Sequence, residues 1–64
     1  MPFIDVTLIE GRTPAQKDAF FKALTEAAIT TLGAPRETVR VVLREVPGEH
    51  WAVGGVPKKP LIPG

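Results

Sequence analysis

The 64-residue sequence contains no cysteine and no tyrosine, and serine and asparagine are missing as well. These absences remove serine, cysteine and tyrosine nucleophiles, disulfide bonds and thiolate metal sites together. Histidine is reduced to His50, and the seven carboxylates show no paired ligand spacing on one helix face. The composition therefore argues against a metal centre. Excess charge is lacking too: eight Lys and Arg against seven Asp and Glu leave a net charge of +1. That balance offers none of the basic surplus that non-specific phosphate binding requires, so nucleic acid is not an expected partner. No apolar run approaches the roughly 18 residues of a membrane span, and no signal-peptide pattern is present. The expectation is a soluble, cytoplasmic protein with no membrane partner, and the lack of cysteine agrees with a reducing compartment.

Few groups remain that can move a proton near neutral pH. They are His50, a carboxylate with a raised pKa, and an amino-terminal amine. The last arises because residue 2 is proline, directly behind the initiator methionine. A Met-Pro start is a good substrate for methionine removal, which would expose the secondary amine of Pro2 as a base. While Met1 stays attached, Pro2 is a tertiary amide with no basicity.

A chain this short forms one domain, here residues 1–64, with a tail from about residue 57 that is expected to be flexible or docked on a neighbour. It lies near the size at which a single core barely offsets chain entropy, and without a disulfide or metal the remaining means of stabilisation is oligomerisation. Phe3 to Ile9 reads as a strand in which Asp5 and Thr7 alternate with Ile4, Val6 and Leu8. After the Glu10-Gly11-Arg12 turn, Thr13-Pro14-Ala15-Gln16 combines an N-cap, a proline at the first helical position and a capping-box glutamine. The helix that follows carries Phe20, Leu24, Ala27, Ala28, Thr31 and Leu32 at helical spacing, and Gly33 is placed to end it. A proline-containing turn, Ala34 to Glu37, leads to a second strand in which Val39, Val41 and Leu43 alternate with Arg40, Val42 and Arg44 up to Val46. The crossover is long enough to make the two strands parallel. Pro47-Gly48 starts a loop, and Trp51-Ala52-Val53 before Gly54-Gly55 suggests a short hairpin. A two-stranded sheet with one helix leaves its other face bare, and that face must meet another subunit.

Arg12 follows the first strand, and Arg40 lies among β-branched residues of the second. A strand arginine is ordinarily a salt-bridge or interface residue. Two guanidinium groups converging on a cleft would instead hold a diacid, and would depress the pKa of a nearby ammonium, as would burial among Phe3, Val39 and Trp51. Trp51, the single tryptophan, suits a core or interface anchor as well as a pocket wall. His50 reads as a loop hydrogen-bonder, Lys58 and Lys59 as a solvated tail, and Arg36 and Arg44 as surface or interface charges.

Taken together, Pro2 after Met1, Leu8-Ile9-Glu10-Gly11-Arg12 leading to Gln16-Lys17, Ala34-Pro35 with Val39-Arg40-Val41, and Trp51-Ala52-Val53-Gly54-Gly55 resemble the 4-oxalocrotonate tautomerase family up to about Val56. The resemblance implies an α/β subunit of β-α-β form with two parallel strands, one long helix and a short C-terminal hairpin, assembled as a homohexamer, a trimer of dimers. It also implies a cofactor-free isomerase acting on a small dicarboxylate dienol such as 2-hydroxymuconate. Pro2 matches the general base and acid, and Arg12 the arginine on the distal carboxylate. Arg40 matches the arginine that a neighbouring subunit supplies to the other carboxylate and the 2-oxygen, and Trp51 stands where an apolar aromatic wall is usual.

Rival expectations follow from the same resemblance. Phenylpyruvate tautomerisation is one; as a monoacid, that substrate would need a single arginine. Hydration of 3-chloroacrylate is another, but related dehalogenases carry an extra arginine and an acidic residue where this sequence has Ile9 and Val53. A non-catalytic oligomeric binding module is the reading from a different class.

Overall fold

The computed structural model describes residues 1–58, and residues 59–64 of the expected tail lie outside it. Strand β1, Phe3–Ile9, has the burial alternation that the sequence predicts, with Ile4, Val6 and Leu8 turned inward and Phe3, Asp5 and Thr7 exposed. Helix α1, Pro14–Leu32, starts on a reciprocal cap. The Gln16 N–H donates to the Thr13 hydroxyl at 3.1 Å, and the Thr13 N–H donates to the Gln16 side-chain oxygen at 2.9 Å. Two otherwise orphaned backbone donors at the helix start are satisfied in this way, an arrangement worth about 1 kcal/mol. Gly33 ends the helix at φ 68°, its N–H donating to the Ile29 carbonyl at 3.1 Å. A β-carbon would strain that left-handed stop.

A one-turn 3-10 helix, Arg36–Thr38, occupies the predicted turn, and strand β2, Arg40–Val46, follows. β2 pairs in parallel with β1 from Phe3 opposite Arg40 to Ile9 opposite Val46. Side-by-side residues of such a pair share a face. Ile4, Val6 and Leu8 therefore join Val41 and Leu43 on the side covered by α1, while Phe3, Asp5, Thr7 and Ile9 join Arg40, Val42, Arg44 and Val46 on the bare side. After a second 3-10 turn, Gly48–His50, a two-residue hairpin forms from β3, Ala52–Val53, and β4, Val56–Pro57. Gly54 and Gly55 turn it with φ of 60° and 83°, the double left-handed loop whose twist matches paired strands. Pro57, where the tail was expected to start, belongs to β4, and the Lys58 N–H is bonded to the Trp51 carbonyl at 2.7 Å.

The helix corrects one expectation. Its sheet-facing side is Phe20, Phe21, Leu24, Thr25, Ala28 and Ile29, whereas Ala27, Thr31 and Leu32 are exposed, Leu32 at 69%. Apolar residues flank the line through Phe20, Leu24 and Ala28 on both sides, so a 3.6-residue period alone does not choose between the flanks. Ala28 is the one buried hydrophobic residue among those described, and Phe3 on the bare face is 64% exposed. A lone subunit thus has a thin core and an uncovered sheet face on which Phe3, Ile9, Val42 and Val46 stand among Asp5, Thr7, Arg40 and Arg44.

Candidate active site

The expected site residues lie at two ends of the sheet. Pro2 precedes β1 and is half-buried, and its carbonyl accepts the backbone N–H of Arg40 at 3.1 Å. Arg40 opens β2 beside Phe3 on the bare face, where its Nη1 donates to the Glu37 carbonyl at 2.7 Å. The parallel register brings Pro2 and Arg40 together although their numbers differ by 38.

At the other end, Gly11 turns the chain out of β1 with φ 130°, and Arg12 follows. Among the described residues its guanidinium approaches only the Ile9 carbonyl, Nη1 to O at 3.5 Å. A cleft of about 320 Å³ lies there, lined by Leu8, Arg12, Gln16, Lys17 and Phe20. Lys17 is neutralised by Glu45 through a 3.0 Å Nζ–Oε1 contact that ties the first turns of α1 to β2. Among the described residues Arg12 is consequently the cation of this cleft that has no carboxylate partner. At ~3.3 Å per residue, the seven residues of β1 put Pro2 and Arg12 about 20 Å apart or more.

Trp51 follows the Gly48–His50 turn, half-buried, with its backbone N–H donating to the Gly48 carbonyl at 3.1 Å. It does not line the cleft, and His50 beside it is exposed, with its N–H on the Pro47 carbonyl. Within the chain Phe3 stands on the bare face, and Trp51 lies between the Gly48–His50 turn and the hairpin. Sequence reasoning also passed over Gln16, Lys17 and Phe20 as lining residues. Their signal was available, since positions 12, 16 and 20 recur every four residues at the helix start, but Gln16 was explained by capping alone.

The ion pairs sort the four arginines. Arg36 is bonded to Glu26 at 2.6 Å and Arg44 to Asp5 at 3.1 Å, whereas Arg12 and Arg40 meet only backbone carbonyls among the described residues. The two guanidinium groups without a carboxylate partner among the described residues are the two expected at a substrate.

A family model described as "Tautomerase enzyme" matches residues 2–60. The chain belongs to the tautomerase family. A Ralstonia nicotianae protein named "Probable tautomerase" is 64% identical to this tautomerase over 58 residues, 91% of this chain and 83% of the relative. The 2-hydroxymuconate tautomerase of Pseudomonas putida is 46% identical over 61 residues, 95% of this chain and 97% of the relative. Among solved structures, TomN, a 4-oxalocrotonate tautomerase homologue in the tomaymycin biosynthetic pathway, superimposes with a TM-score of 0.86 at 54% identity, covering 88% of this chain and 86% of its own. A heterohexameric 4-oxalocrotonate tautomerase from Chloroflexus aurantiacus J-10-fl gives the same TM-score at 38% identity, covering 89% and 92%. The β-α-β subunit with two parallel strands, one helix and a C-terminal antiparallel hairpin is the tautomerase subunit of these neighbours. Among the described residues no helix is long and apolar enough to cross a membrane.

Proposed function

We propose that this tautomerase ketonises 2-hydroxymuconate or a closely similar 2-hydroxy-dienoate diacid, without a cofactor, in sites formed between copies of a cytoplasmic homohexamer. The observation that carries the reading is the pair of arginines, Arg12 and Arg40, that lack a carboxylate partner among the described residues while Arg36 and Arg44 each have one. A dianionic substrate supplies the two missing carboxylates through charge-assisted, forked hydrogen bonds.

In the proposed reaction Met1 has been removed and Pro2 carries a free secondary amine. The neutral amine takes the proton of the enol hydroxyl, the O–H electron pair becomes the C2 carbonyl, the C2=C3 pair moves to C3=C4, and the C4=C5 pair is left to form the new bond to hydrogen at C5. The ammonium then returns the proton to the distal carbon, so one O–H bond is exchanged for one C–H bond and no redox partner is needed. Arg40 holds the carboxylate and oxygen near the enol, where charge develops. Arg12 holds the far carboxylate and draws electron density toward it. Trp51 supplies an apolar wall that keeps the amine desolvated and thereby neutral.

Because Pro2 and Arg12 stand at opposite ends of β1, the Arg12 that serves a given Pro2 comes from another copy. Arg40 is assigned likewise to a neighbour's site, since its guanidinium stands on the bare face that a second copy would cover. The test is the decay of 2-hydroxymuconate ultraviolet absorbance with protein whose processed N-terminus is confirmed by mass. Rapid decay supports the assignment; no decay with fully processed, assembled protein overturns it.

A further inference from the structure

Asp5 and Arg44 form the ion pair on the bare face of the sheet. Arg44 Nε lies 3.1 Å from Asp5 Oδ1 and Nη2 lies 3.3 Å from Oδ2, a two-pronged contact that crosses from β1 to β2. Asp5 stands beside Val42 and Arg44 beside Thr7, so the contact runs diagonally across the ladder. Phe3, Ile9, Val42 and Val46 give the same face an apolar character around it. The side chains of Arg44 and Asp5 are 62% and 45% exposed, and in a lone chain such a pair contributes little to stability.

Covering the face changes the electrostatics. Once water is displaced, the pair stays compensated only if the covering surface sets no like charge against either member, because such an apposition becomes costly. The central pair presents one acid and one base with no net charge, so a second identical face can satisfy both in a register that sets acid against base. A partner with two acids or two bases at these positions is refused. The thin core, with Ala28 as its one buried hydrophobic residue among those described, shows that this face needs a cover.

We infer that Asp5 and Arg44 are the self-recognition element of the bare sheet face, making a second copy of this chain its occupant and excluding subunits without complementary charge. The inference rests on the proposed homohexamer and adds what selects its members.

The experiment uses D5R and R44D chains, expressed singly and together with distinguishable tags, and reads assembly by native mass. D5R carries two bases at the pair and R44D two acids. Each alone is expected to lose the assembled species seen for wild type, and co-expression is expected to recover an assembly containing both chains. The double variant D5R/R44D, which restores opposite charges within one chain, is expected to assemble with itself and serves as the folding control. Single variants that assemble as fully as wild type overturn the inference. So does co-expression that recovers no mixed species, because the pair then acts only within its own chain. A wild-type protein that remains a 6.9 kDa monomer fails the homohexamer reading itself, whereas assembled wild type with unaffected variants fails self-recognition alone.

Discussion

Under the proposed function, the two ends of the β1–β2 sheet carry different halves of one chemistry. At the start of the strands, Pro2 is bonded through its carbonyl to Arg40, and the amine that loss of Met1 would free lies there. At the finish, Arg12 faces a cleft with Leu8, Gln16, Lys17 and Phe20, and Lys17 is neutralised by Glu45. The candidate amine stands at one end, and the cleft with Arg12 at the other. A parallel strand pair separates its beginnings from its ends by the full strand length, so the subunit cannot close this gap by adjusting side chains. Under the proposed function, assembly is therefore part of the active site as well as of stability.

The largest effect should come from acylating the first end. Retained Met1 should abolish turnover, and Pro2→Ala should lower kcat/KM by about 10²–10⁴-fold, the range of a positioned acid/base group. In processed wild type, kcat/KM should rise with pH through a single ionisation below that of an unperturbed secondary amine. A pH profile unchanged in Met1-blocked protein would reject the amine as base.

Breaking the second end should cost less. Arg12→Ala should reduce kcat/KM by about 10–100-fold, as expected for losing a charged hydrogen-bonding partner, while a monoacid enol should be turned over nearly as before. If Arg12→Ala leaves the diacid unaffected, the clamp reading fails. The comparison of ends is sharpened by mixing: inactive Pro2→Ala chains co-assembled with Arg12→Ala chains should regain activity, about one site in four for random mixing, because each site draws its two residues from different copies. No recovery in a proven mixed assembly would mean that Pro2 and Arg12 serve the same chain's site.

Dilution tests the bare face against the covered one. The melting temperature should fall as protein concentration falls, since a subunit with so thin a core depends on its neighbours. Concentration-independent melting would show that the lone subunit is self-sufficient. Thr13→Ala should have the smallest effect, about 1 kcal/mol in chemical denaturation, because it removes a cap without touching either end of the proposed site.

Local elements were legible wherever a nearby residue dictates the backbone. The Thr13-Pro14-Gln16 start, the Gly33 stop and the Gly54-Gly55 hairpin each have a mechanism confined to a few neighbouring residues, and each forms as read. The helix face was less legible because Phe21 and Ile29 flank the central stripe on one side while Ala27 and Leu32 flank it on the other. Choosing between them requires knowing where the sheet lies.

The candidate site divides in the same way. Amino-acid composition and order alone determined that a proton carrier must be His50, a carboxylate or the amine of Pro2, and that the chain is too short to stand easily by itself. Tertiary structure alone decided which arginines lack a carboxylate partner among the described residues. Asp5 reaches Arg44 across 39 positions and Glu26 reaches Arg36 across 10, pairings set by strand register and helix packing and by no local pattern. It also decided that Pro2 and Arg12, ten positions apart by number, stand at opposite ends of the subunit. An extended strand converts sequence nearness into distance at ~3.3 Å per residue, while the parallel return of β2 brings distant Arg40 to Pro2.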